Sequence, residues 1–267
     1  LRDYGMQLRK LAAAGSQKKQ LEAEKVKMLG NIYHMLTLAY GVPPTEFRWE
    51  FRTASGSLVS DKTYTPKEFY KELWGDYNLN EQTILVMNDP SREYGKVYRI
   101  QYDRHTYDGH DWVYLNLPME QIKPIAIEMI KNNEAMYISC DVGKFLNRSL
   151  GTCDMNNFDY KSLLGVDLTM DKRERILTHA SGSSHAMTLI AVDVDAATKA
   201  PLRWMVENSW GKESGFNGNL IMTDEWFDEY MFRFVFDKKY VPAEILKLTQ
   251  QEPILLPSWD PMFAVEE

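Results

Sequence analysis

Two side chains in this sequence have the types and spacing for proton-transfer chemistry. His185 opens the run His-Ala-Met-Thr-Leu-Ile-Ala-Val, and Asn208 follows the run Leu-Arg-Trp-Met-Val-Glu. A carboxamide oxygen that accepts from one imidazole nitrogen fixes the ring tautomer and leaves the other nitrogen to exchange a proton with a nucleophile. The geometry needed is two neighbouring antiparallel strands with a short connection, which put the start of one beside the end of the next. Trp210, two residues beyond the asparagine, is placed to shield the pair from water and so strengthen its hydrogen bond.

A nucleophile is harder to find. The two cysteines, Cys140 and Cys153, are each followed by aspartate. Both read as compact buried or half-buried thiols. Asp141 reads as a capping or loop-fixing carboxylate. His105 and His110 flank an Asp-Gly loop without neighbouring metal ligands and read as solvated or capping groups. His179 lacks the β-run that follows His185. The chemistry calls for no metal and no cofactor.

The elements that must position this pair are legible from periodicity and caps. Residues 3–15 and 20–40 read as helices, the second stopped by Gly41 and Pro43-Pro44. Residues 47–52 alternate as a strand and turn back through Ala54-Ser55-Gly56-Ser57. Thr65, Pro66 and Glu68 open a capped helix that carries Phe69, Tyr70 and Leu73 inward. Residues 84–87, 97–102, 112–117, 135–142 and 220–222 are strand-like, and 119–131 is an amphipathic helix. Thr223 caps a short helix, residues 231–236 form a strand with Arg233 outward, and 242–250 is a closing helix. The apolar, proline-rich end from Pro253 is too apolar for a free tail and must lie in a groove.

The segments around His185 and Asn208 resemble the papain superfamily of cysteine peptidases. Cys-Asp-Val-Gly-Lys (140–144), Asp-Met-Asn (154–156), Val-Glu-Asn-Ser-Trp-Gly (206–211), Met-Thr-Asp-Glu-Trp-Phe (222–227) and the tail at 251–262 are similar to its bleomycin hydrolase and aminopeptidase C branch. The resemblance implies an α+β papain-like fold, with an antiparallel barrel-like half and helical insertions, incomplete at its N-terminus. It implies a cysteine aminopeptidase with a Cys-His-Asn triad, His185 being the base and Asn208 its orienter. The family's nucleophile lies in a Gln-containing Gly-x-Cys-Trp segment, which these residues do not include, so the chain reads as the C-terminal part of the enzyme and inactive alone. In that family the terminal carboxylate, here on Glu267, holds the substrate's α-amino group. This chain ends Met-Phe-Ala-Val-Glu-Glu where the family commonly ends Met-Gly-Ala-Leu-Ala.

The implied organisation is a helical and hairpin insertion over 1–111, a β-rich domain over 112–250 carrying His185 and Asn208, and a C-terminal arm over 251–267. A chain of 267 residues with 44% hydrophobic and 12% aromatic content can bury a sizeable core. A net charge of -7 argues against a nucleic-acid footprint, and the short basic runs Lys18-Lys19, Lys172 to Arg175 and Lys238-Lys239 read as solvated faces. No apolar run spans a bilayer. The expected setting is the cytoplasm, with peptide substrates and a homo-oligomer, a hexamer by resemblance. A non-catalytic scaffold relative and a nucleic-acid-binding ring protein of the same fold are the alternatives.

Overall fold

Helix boundaries follow from side chains that satisfy orphan backbone groups. The computed structural model of the chain describes residues 1–106 and 108–263. It divides into two units, Leu1–Tyr77 and Asn78–Glu267.

The first unit holds α1 (Arg2–Ala13), α2 (Lys18–Tyr40), the hairpin of β1 (Phe47–Arg52) and β2 (Leu58–Tyr64), and α3 (Pro66–Trp74). Thr65 accepts from the Glu68 amide while the Glu68 carboxylate accepts from the Thr65 amide, the reciprocal cap that the sequence predicts. Phe69 packs edge-on to Phe47, with ring centroids 5.2 Å apart. Tyr70 and Leu73, expected inward, are instead 59% and 58% exposed. Periodicity puts them on an apolar face, but within this unit no element covers that face. Met28 and Tyr64 are its buried apolar residues.

The second unit starts with α4 (Leu79–Gln82), β3 (Thr83–Met87), β4 (Val97–Ile100), β5 (Val113–Asn116), α5 (Met119–Lys131) and β6 (Met136–Cys140). Short elements follow: β7 (Leu146–Asn147), β8 (Thr152–Cys153), α6 (Tyr160–Leu164) and α7 (Lys172–Leu177). Then come β9 (His185–Val194), β10 (Pro201–Glu207), β11 (Asn219–Thr223), α8 (Asp224–Tyr230), β12 (Met231–Asp237), α9 (Ala243–Leu248) and β13 (Ile254–Leu256). Among the described residues the strands form an 11-stranded sheet in the order β13-β4-β5-β3-β12-β6-β9-β10-β11-β8-β7. Because β3, β4 and β5 lie inside this sheet, the division of the chain falls after Tyr77 and not after residue 111. The C-terminal arm likewise contributes a strand, β13, parallel to β4.

One continuous apolar core covers the middle of the sheet. Ile122 and Ala126 of α5, Ile138 of β6, Leu189 of β9 and Val206 of β10 are all fully buried in one apolar cluster. Trp204 stacks on Phe227 of α8 with centroids 4.3 Å apart, and its indole donates to Asp224 at 2.9 Å. Phe232, Phe234 and Phe236 leave no surface exposed. Arg233 between them does not point outward as a two-faced strand would have it. It is half-buried, with its guanidinium 4.8 Å from the centre of the Trp112 ring, because β12 is covered on both faces.

Candidate active site

The pairing of β6, β9 and β10 brings the site together. His185 begins β9 in register with Cys140 of β6, and Asn208 directly follows β10, whose Glu207 pairs with Thr188 of β9. The two residues therefore share one end of the sheet. His185 Nε2 lies 2.9 Å from Asn208 Oδ1, which also accepts from the Ser209 amide at 2.8 Å. A backbone N–H can only donate, so the Ser209 contact fixes which end of the carboxamide is oxygen. Nε2 must then be the donor, and Nδ1, which has no partner among the described residues, is left to handle a proton.

Backbone contacts hold the asparagine in place. Its amide donates to Gly218 O at 3.1 Å, closing the loop from Ser209 to Gly218. That loop packs backbone on backbone: a Cβ on Gly151 would fall 2.4 Å from Gly215 Cα, so a side chain there would push the two loops apart. Trp210 leans on His185 with centroids 5.2 Å apart and carries Arg148 over its own ring at 5.0 Å. Asn208 Nδ2 is buried without a hydrogen-bond partner among the described residues.

Neither cysteine is suited to attack. Both are buried and in reduced form. Burial pushes the Cys140 thiol well above its ordinary range and the Cys153 thiol up to about 12. Asp141 has the loop-fixing part expected of it: it accepts from the Ser181 hydroxyl at 2.7 Å, bracing the segment that leads into His185. Glu267 lies outside the described residues. Among the described residues no group of three or more His, Cys, Asp or Glu could hold a metal ion.

One buried group went unseen in the sequence. Lys172, read there as part of a solvated basic run, is buried, and its ammonium donates to Asn88 Oδ1, Asp228 O and Met231 O at 2.5–2.8 Å. Its position opening α7, after the Asp171 cap, was the available signal, since the first turn of a helix can face inward as readily as out.

The sequence matches the peptidase C1-like family over residues 1–263. The chain belongs to that family. It is 39% identical to human bleomycin hydrolase over 271 residues, which cover all of this chain and 60% of that protein. To aminopeptidase C of Lactobacillus delbrueckii subsp. lactis it is 34% identical, over 99% of this chain and 59% of the other. Its structure superposes on that of PepW from Lactobacillus rhamnosis HN001 with a TM-score of 0.87 and 34% identity, across 98% of this chain and 59% of PepW. The fold is the α+β papain-like fold of these peptidases. The chain spans about three-fifths of the length of each of these relatives. As a family member it has a strand-start histidine and an Asn-Ser-Trp-Gly segment already joined by a hydrogen bond. No helix among its described residues is long and apolar enough to cross a membrane.

Proposed function

We propose that this chain carries the acid-base half of a cysteine aminopeptidase centre, with His185 as the proton carrier and Asn208 as its orienter. The observation that supports the reading is the 2.9 Å bond between His185 Nε2 and Asn208 Oδ1. The nucleophilic thiol comes from a part of the protein outside these residues, because both cysteines here are buried and held protonated. In the reaction a thiolate attacks the peptide carbonyl and forms a carbon–sulfur bond. His185 Nδ1 then gives its proton to the leaving amine. Water, losing a proton to Nδ1, attacks the thioester and restores the thiolate.

The cleavage direction, from the N-terminus, follows the aminopeptidase relatives, with Glu267 as the group that receives the substrate's ammonium. Homo-oligomerisation, to a hexamer by family resemblance, fits the exposed Leu38 and Tyr40 at 75% and 84%. Reduced cysteines fit the cytoplasm.

The test is hydrolysis of an aminoacyl-coumarin reporter by the complete protein and by its His185→Ala variant. Loss of His185 should cut turnover by roughly 10²- to 10⁴-fold. The 267-residue chain alone should give none. A complete protein that neither turns over the reporter nor has an alkylatable active thiol would be the scaffold relative instead.

A further inference from the structure

Arg233 makes no contact ion pair among the described residues; the Asp103 carboxylate, which lines the same cavity, favours its charge from beyond contact distance. The Arg233 Nε is buried and unbonded, and no hydrogen bond or ion pair reaches its guanidinium among the described residues. What it touches is aromatic: the Trp112 and Phe263 rings, 4.8 and 5.1 Å from the guanidinium carbon. Burial pulls its proton affinity below the ordinary arginine range. Charged groups are rarely taken out of water unpaired, because cation–π contact replaces only part of the lost hydration.

The guanidinium lines a cavity of about 410 Å³. Trp112, whose indole N–H is also buried and unbonded, forms part of the wall, with Met262 and Phe263 of the C-terminal arm. Ser183, two residues before His185, lines it too, and its hydroxyl lies 2.6 Å from that of Ser139, the register partner of Arg233. The cavity thus opens beside the strand that starts with the candidate base. Its other cation, Arg104, is already paired with Asp111 at 3.6 Å, and its own carboxylate, Asp103, is exposed and forms no ion pair with Arg233. The buried Nε and the indole N–H have no surface that a ligand can reach. The donors left for one are the terminal guanidinium nitrogens, whose parallel N–H bonds are complementary to a carboxylate.

We propose that this cavity is a carboxylate-binding subsite centred on Arg233, which takes an acidic side chain of the peptide handled at His185. The identity of the ligand as a peptide side chain rests on the peptidase reading. The carboxylate chemistry rests on the cavity alone.

The experiment has two arms. In the first, the complete protein is given reporter peptides that differ only by glutamate or glutamine next to the cleaved bond. The glutamate peptide should be favoured about tenfold or more in kcat/KM, the size of one charge-assisted hydrogen bond, and Arg233→Met should bring the two rates together. Arg233→Lys, which keeps the charge but not the fork, should retain part of the preference. Equal rates in the unaltered protein would overturn the inference. The second arm needs no turnover: N-acetylglutamate α-amide, whose one carboxylate is on the side chain, is titrated by calorimetry against the unaltered protein and Arg233→Met, with neutral N-acetylglutamine α-amide as control. Binding of glutamate alone, lost in Arg233→Met while the thermal transition stays cooperative, supports the site even where no peptide is cleaved, in which case only the peptidase reading falls. Binding that emerges only when Glu266 and Glu267 are both changed to glutamine would show the chain's own carboxylates to be the occupants and overturn the substrate subsite.

Discussion

Cys140 is the register partner of His185 across β6 and β9, yet its thiol is fully buried. Adjacency in a sheet is not reactivity. A thiol becomes a nucleophile as a thiolate, and burial here works against ionisation. For Cys153, held up to about 12, the thiolate fraction at pH 8 is on the order of 10⁻⁴. Both thiols should therefore resist iodoacetamide in the folded protein and react after unfolding in urea, as read by mass spectrometry. Cys140→Ser should lower stability by about 1–3 kcal/mol, the range for burying an unpaired hydroxyl, while the complete protein keeps its turnover.

Asn208 is expected to act through His185 alone. A hydrogen bond to a group that becomes charged is worth about 1.5–3 kcal/mol. Asn208→Ala should thus lower kcat of the complete protein by roughly 10- to 100-fold and leave KM nearly unchanged, because the side chain orients the ring and does not hold substrate. A larger change in KM than in kcat, measured with the aminoacyl reporter, would assign Asn208 to binding.

The site was more legible in the sequence than its surroundings, for a local reason. His185 and Asn208 owe their meeting to strand ends and a short connection, and the Thr65 and Thr223 caps to spacing of three residues, all of which are written in contiguous sequence. Arg233, Lys172, Tyr70 and Leu73 were misjudged because their burial depends on what lies across from them. A basic run or an alternating strand is the same string whether its far side meets water, as Lys18 does, or the acceptors Asn88, Asp228 and Met231. The boundary after Tyr77 was hidden for the same reason, since β3 and β5 pair in parallel, a pairing that no turn between them announces.

Lys172 makes stability depend on pH. Desolvation lowers its pKa from 10.5 to about 7 in the folded chain. Between those values the unfolded chain holds a proton that the folded chain has released, so stability rises with pH, by up to about 1.4 kcal/mol per unit. Above the unfolded value the contribution is complete; below about 7 it has been lost, both states then being protonated. The urea midpoint of the unaltered protein should climb from pH 7 to about pH 8.5, and Lys172→Met should flatten that climb. Above that, Cys140 and Cys153, which ionise in the unfolded chain and stay protonated in the folded one, turn the slope downward. Lys172→Met should also be less stable throughout, because Asn88 Oδ1 and two backbone carbonyls lose their donor.

Asp260 is what fastens the C-terminal arm. Its carboxylate pairs with Arg92, which reaches across to the buried Asp89 at 2.8 Å, and it also accepts from the Met262 amide at 3.1 Å. Both carboxylates are nearly free of solvent, so the triad is a buried network in which each oxygen has a donor to satisfy. Asp260→Ala removes one anion and leaves Arg92 half-paired. The loss should be about 1–3 kcal/mol, below the 3–5 of a fully orphaned buried charge, because Asp89 stays in place. The arm should respond more than the fold. With the Arg92 tie gone, cleavage by chymotrypsin after Trp259, already 74% exposed, should accelerate well before global unfolding. Equal rates of arm cleavage in the variant and the unaltered protein would show that the β13–β4 pairing and the buried Met262 hold the arm without help from Asp260.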